Sequence, residues 1–160
     1  MSMTREAVTA EGEMLANIVR KRNSKLLAEV DYQRELVFVA NAGISQRSIA
    51  RAMNVSQPTI SAALRTARRS VRPVPAGFSG ASPYEIAQRY ATGEITRNAL
   101  IGQLVRWDYD TTPTTDGVDG LLVDDGRSWL EVEQACQNGL IDDDLYDEIL
   151  DRLESKDSNA

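Results

Sequence analysis

Eleven side chains between Gln46 and Arg69 have the types and spacing to grip a polyanion. Arg47, Arg51, Arg65, Arg68 and Arg69 bring permanent guanidinium charge, whose planar fork fits phosphate oxygens. Among them stand Gln46, Ser56, Gln57, Thr59, Ser61 and Ala62. Such short or polar groups let a helix backbone approach the floor of a major groove ~12 Å wide, where a glutamine amide can pair with an adenine edge. Gln57, Thr59, Ser61, Ala62 and Arg65 are the candidate base readers. Gln46, Arg47, Arg51, Ser56, Arg68 and Arg69 are the candidate phosphate and support contacts.

Other chemistry is poorly provided for. The chain has no histidine, which removes histidine-based triads, the usual general base and the commonest zinc ligand. Its single cysteine, Cys136, permits neither a disulfide nor a cysteine-rich metal site within one chain, and its setting, "EVEQACQNG", reads as a small buried apolar residue. An enzyme would need the carboxylates Asp124 and Asp125 or Asp142 to Asp144. Neighbouring residues on a turn or helix do not converge on one substrate, and the second run reads better as anions at a helix N-terminus. No catalytic residue, metal ligand or cofactor is expected.

The candidate readers need elements to hold them. In "SQRSIARAMNVSQPTISAAL" a first helix carries a small residue at its middle, Ala50, so that a second can cross close to it. Asn54 stands at the turn, the best L-residue substitute for a glycine of positive φ. Ile49, Met53, Val55, Ile60 and Leu64 are expected to lock the pair. Pro58 looks like a fault in the second helix. With Ser56 as N-cap, however, it falls in the first turn, where backbone N–H groups have no intrahelical acceptor. The Ser56 hydroxyl is then left to accept from the N–H of Thr59, which fixes where the helix begins.

These residues carry a resemblance. "GISQRSIARAMNVSQPTIS" resembles the helix-turn-helix of the Xre and phage-repressor class, common in bacterial repressors and antitoxins, over about Gly43 to Arg69. In that family a glutamine opening the first helix braces a glutamine opening the recognition helix, and Gln46 and Gln57 fall on those positions. The departures are Asn54 for the usual glycine, Pro58 where a polar reader often stands, and Ala63 where a larger apolar residue is common. The acidic half, with "GEIT" and then "GLIDDDLYDEIL", is similar to a region found behind such segments in actinobacterial proteins. The resemblance implies a DNA-binding repressor of antitoxin type.

The remaining sequence frames this motif. Of 160 residues 42% are hydrophobic and 26% charged, a globular composition. The net charge of −6 hides a division: residues 1–72 hold 12 Lys and Arg against 6 Asp and Glu, residues 73–160 hold 6 against 18. A basic half suits a polyanion, and an acidic half needs another role. Between them "SVRPVPAGFSGASP" reads as a linker. Upstream, Thr4 to Ala42 reads as one long helix or two, with Asp31 capping the second, Gly43 as C-cap, and "RKRNSK" either a solvated face or a DNA contact. Downstream, an offset of 46 residues lays "SPYEIAQRYATGEITRNALIGQL" on "SWLEVEQACQNGLIDDDLYDEIL". Each copy reads as an αα-hairpin in which a helix stops at Gly93 or Gly139 and Thr96 or Asp142 caps the next. The Asp/Gly-rich stretch joining them does not follow the EF-hand ligand order and reads as a solvated turn with a short buried anchor.

The expected fold is all-α. A helix-turn-helix domain with an N-terminal helix spans 1–69, a Pro/Gly linker 70–83, an acidic helical domain of two αα-hairpins 84–154, and a disordered tail 155–160. No apolar run is long enough to span a bilayer and the first residues lack a signal-peptide core, so a cytoplasmic location is expected. One recognition helix reads few base pairs, so a homodimer on a palindromic duplex with half-sites about one turn apart is expected. The acidic half would bind a basic protein, a toxin, through Trp107, Tyr109, Trp129 and Tyr146, unless those aromatics form its own core. The alternatives are a stand-alone or phage immunity repressor that oligomerises through this half and, more remotely, a carboxylate- or metal-dependent enzyme.

Overall fold

Periodic apolar residues punctuated by hydroxyl caps and glycine stops give helices throughout. The computed structural model describes residues 2–109 and 129–159, and of 2–7 the backbone alone. It contains α1 (Ser2–Asn41), α2 (Gln46–Met53), α3 (Gln57–Ser70), α4 (Pro83–Ala91), α5 (Arg97–Arg106), α6 (Leu130–Gln137) and α7 (Asp143–Ser158), with no β-strand among the described residues. No helix among them is long and apolar enough to cross a membrane. The Asp/Gly-rich stretch of residues 110–128, including Asp124 and Asp125, lies outside the described residues.

The chain divides into two units. One comprises residues 21–73; the other comprises 74–160 together with 1–20.

α1 is a single 40-residue helix, of which residues 21–41 belong to the first unit, and it passes Asp31 without interruption, so Asp31 caps nothing. No glycine, proline or cap-forming turn interrupts "AEVDYQREL", and Asp31 meets Arg34 one turn on at 3.7 Å. Beyond its end Gly43 takes φ +88, while the N–H of Gly43 bonds the carbonyl of Ala40 and that of Ile44 the carbonyl of Val39. That paired closure is how a helix stops on a left-handed residue. Leu36 of α1 then joins Ile49, Ala50, Ile60 and Leu64 in a buried cluster, flanked by Val37, Val39, Ala40 and Ala63. The end of α3 is tied to α1 by polar bonds, the Ser70 hydroxyl to Gln33 Oε1 at 3.2 Å and Arg34 Nε to the carbonyl of Arg72 at 3.1 Å.

In the second unit α4 packs on α5 and α6, and α7 packs on α5 and α6, which makes a closed ring of four neighbours. Ile86, Ala87, Leu100, Ile101, Leu104, Val132, Ala135, Leu145 and Ile149 fill its interior with Trp107, Leu140 and Ile141. Both halves of the 46-residue repeat stop alike. Gly93 at φ +85 lets Glu94 N–H reach the carbonyl of Arg89 (2.8 Å), and Gly139 at φ +73 lets Leu140 N–H reach that of Ala135 (2.9 Å). Thr96 then accepts from the N–H of Ala99, and Asp142 from that of Leu145. Arg97 at the start of α5 bonds Glu148 of α7, which Arg152 also meets at 2.7 Å. The hydrogen bond from Arg97 holds the Glu148 carboxyl below the usual carboxylate range.

Two expectations are corrected here. Residues 75–82 do not behave as an open linker: Phe78 sets its ring edge-on to Trp107 with centroids 4.8 Å apart. Gln103 Oε1 accepts from both the N–H and the hydroxyl of Ser79, at 2.7 and 2.9 Å, and Gly80 lies so close to Glu85 that an added Cβ would meet its side chain at 3.0 Å. The tail from 155 is helical through Ser158: α7 continues past Glu154, and the hydroxyls of Ser155 and Ser158 bond back to the carbonyls of Asp151 and Glu154.

Candidate nucleic-acid interface

Two serine caps and one left-handed asparagine set the geometry of α2 and α3. Ser45, in extended conformation, accepts from the N–H of Ser48 at 3.1 Å and so starts α2. Asn54 ends it at φ 54 and ψ 44, and the next N–H, that of Val55, turns back to the carbonyl of Ala50 at 3.0 Å. Ser56 starts α3: its hydroxyl accepts from the N–H of Thr59 at 3.3 Å and also meets the Thr59 hydroxyl at 2.7 Å. Pro58 occupies the first turn of α3, where it removes no helical bond.

The turn lays α3 across α2 with Ala50 4% exposed, Ile60 1% and Leu64 2%. A larger side chain at Ala50 would hold the two helices apart. Met53 and Val55, expected in the lock, are instead exposed. They sit on either side of the left-handed Asn54, where the chain reverses and faces solvent, and Leu36 of α1 together with Ala50 fills the cluster they were expected to complete. Ala63 is half-buried against that cluster, so its small size is accommodated from α1.

At about 100° per residue, with Ile60, Leu64 and Ala67 buried, the middle of the outward face of α3 falls on Ala62 and Arg69, flanked by Pro58, Arg65 and Thr66, all exposed. Thr59 and Arg68 are exposed farther round, and Ser61 is half-buried at the rim. Gln57 shares the angular position of Leu64 seven residues on, yet it is exposed because it stands at the mouth of the helix. Thr66 was missing from the expected set; the four-residue step from Ala62 is the signal that places it there. On α2, Arg47 and Arg51, four apart, are exposed together on one face. Gln46 is half-buried, and among the described residues no hydrogen bond joins it to Gln57.

Electrostatically the unit is one-sided. Residues 41–73 contain six arginines, Arg47, Arg51, Arg65, Arg68, Arg69 and Arg72, and no aspartate or glutamate. Among the described residues none of the first five forms an ion pair. Their charge is therefore not offset locally and is presented to solvent beside a helix face of small side chains, an arrangement that suits a phosphate backbone.

No family model matches the chain, and no match emerged among curated proteins or solved structures.

The acidic unit offers different chemistry. Among the described residues no three carboxylate or thiol side chains cluster so as to hold a metal ion. Asp142 caps α7, Asp143 accepts the Cys136 thiol at 3.3 Å, and Asp144 is exposed beside them. Burial, and then the hydrogen bond to Asp143, push the Cys136 thiol up. The four aromatics expected at an interface are engaged within the unit. Trp107 is buried; Tyr109 meets Trp129 at 5.2 Å, and Trp129 donates its indole N–H to the Tyr146 hydroxyl at 3.1 Å. Tyr109 donates to the carbonyl of Leu104 at 2.8 Å, and its burial raises its phenol well above the ordinary value. The α7 carboxylates of Asp143, Asp144, Asp147, Asp151 and Glu154 are exposed, with Arg152 and Lys156 exposed toward its end.

Proposed function

We propose that this chain is a sequence-specific DNA-binding transcriptional regulator whose helix-turn-helix is formed by α2, the turn at Asn54 and α3. The observation that carries the reading is the set of exposed arginines without a local carboxylate, two on α2 and three on α3, beside the small side chains Pro58, Ala62 and Thr66 of the outward face. Arg65 reads base edges from the flank of that face and Gln57 from the mouth of α3, Thr59 and Ser61 lie at its rim, and Ala62 gives clearance. Arg47, Arg51, Arg68 and Arg69 neutralise phosphates, with Gln46 at the first position of α2 and Ser56 at the N-cap of α3 as support contacts. Two copies act together on a palindromic operator.

Within that role the acidic unit covers a basic protein, as an antitoxin covers a toxin, and the chain represses its own operon. The support is the carboxylate row exposed along α7. A second reading, a repressor acting without such a partner, is favoured by the engagement of Trp107, Tyr109, Trp129 and Tyr146 within the unit itself.

Fluorescence anisotropy with the DNA upstream of the coding region, titrated with salt, tests the first statement. A specific duplex should be preferred over a scrambled one, with log affinity falling by about 0.9 per phosphate neutralised for each decade of salt. Equal affinity for both duplexes, or binding indifferent to salt, would falsify it. Co-purification of a basic protein encoded next to this chain separates the two readings of the acidic unit.

A further inference from the structure

The first two-thirds of α1 present an apolar face to solvent. Val8, Met14, Leu15, Ile18, Val19 and Leu26 are each between 45 and 66% exposed. At 100° per residue they fall within one arc of the helix over ~27 Å of its length. Most of a helix's stability in a protein comes from packing of its apolar face, and a length of 40 residues is typical of helices that pair. The charges on this arc are segregated: Glu11 precedes its centre, whereas Arg22 and Lys25 follow it. Among the described residues none of these three forms an ion pair.

Segregation of this kind selects the direction of pairing. Two parallel copies would set Glu11 beside the partner's Glu11 and Arg22 beside the partner's Arg22. Two antiparallel copies, related by an axis between Leu15 and Ile18, would lay Leu15 on the partner's Ile18 and Met14 near the partner's Val19. Glu11 would then meet the partner's Arg22. We propose that this face of α1 binds α1 of a second copy of the chain, antiparallel, in that register. The inference deepens the dimeric part of the reading above and rests on it only for the need of a second copy, since the pairing requires no DNA.

Full-length protein carrying Cys136→Ser supplies the test, with Glu11→Cys in one preparation and Arg22→Cys in the other. Mild oxidation of the mixture should yield the mixed disulfide dimer, while either variant alone should yield little. In the antiparallel register the two copies of residue 11 lie about 16 Å apart along the helices, beyond a disulfide's Cα separation of about 4.4–6.8 Å. Efficient disulfide formation by the single variants overturns the antiparallel direction. Independently, Leu15→Asp combined with Ile18→Asp should weaken self-association by at least 100-fold in sedimentation while the Trp107 and Trp129 fluorescence stays native. Unchanged association of that variant, or a monomeric wild-type chain, overturns the pairing. A wild-type dimer that cross-links as expected yet ignores operator DNA would count against the regulator and leave the pairing standing.

Discussion

Substitution of Asn54 isolates the feature that orients α3. Asn54 stands at φ 54 and ψ 44, the only positive φ outside glycine among the described residues. Its backbone closes α2 through Asn54 N–H to Arg51 and Val55 N–H to Ala50, at 3.2 and 3.0 Å. A side chain with a Cβ and no local polar group costs roughly 1–2 kcal/mol in this conformation, and β-branching adds to it. Asn54→Ala should therefore lose about 1 kcal/mol, a five-fold change in the folded ratio, and Asn54→Val about 2 kcal/mol. Asn54→Gly relieves the Cβ but adds freedom to the unfolded chain, and the two offset to within about 0.5 kcal/mol. Both tryptophans lie in the acidic unit, so urea unfolding of this unit is best followed by helical circular dichroism. Operator affinity should follow the same order, with Gly near wild type and Val weakest, because a strained turn reseats α3 before the unit unfolds. The reasoning fails if Asn54→Ala matches wild type while Asn54→Gly loses more than 1 kcal/mol.

Gln57→Ala should relax base preference by about 1–3 kcal/mol at one position of each half-site, whereas Arg68→Ala should weaken all duplexes alike and reduce the salt slope by about one. Selection from a randomised operator library and a salt titration read these effects. Arg89, 7% exposed, pairs with Glu85 at 2.8 Å and Glu94 at 2.7 Å. Arg89→Met removes the charge that balances the enclosed Glu85 carboxylate, which keeps the N–H of Ala81 at 2.9 Å, and should cost about 3–5 kcal/mol in chemical unfolding; a loss under 1 kcal/mol would show the pair to be dispensable. Cys136 should react with disulfide reagents only at higher pH than a free thiol does, since burial and Asp143 both disfavour its thiolate. Rapid modification at neutral pH would contradict that environment.

Local chemistry was legible in the sequence wherever a residue had one role to play. Ser56, Thr96 and Asp142 each lie before a helical run, and a short oxygen there has an unpaired N–H three residues on. Gly43, Gly93 and Asn54 announced stops for the matching reason. What went unread depended on partners distant in sequence. Met53 and Val55 have the hydrophobicity of lock residues, yet Leu36 arrives from α1 and takes their place. Residues 75–82 have the composition of a linker, and distant partners make them part of a folded unit: the buried amide of Gln103, 24 residues beyond Ser79, and the ring of Trp107 against Phe78. Of the candidate interface, the exposure of the arginines followed from helical period. The standing of Gln57, at the angular position of Leu64 but exposed at the helix mouth, required knowing where α3 begins.

The two hairpins of the acidic unit share stops and caps but not their buried register. Leu145 and Ile149 are buried in α7, and the 46-residue offset matches them to Ala99 and Gln103 of α5, where Leu100, Ile101 and Leu104 fill the interior. One place that holds an isoleucine in the second copy thus holds an amide in the first, and that amide is committed to Ser79. The copies have become specialised modules that cannot trade places. A chimera carrying residues 130–150 twice would keep both turns and yet lose the mooring by which the incoming chain is fastened to the ring.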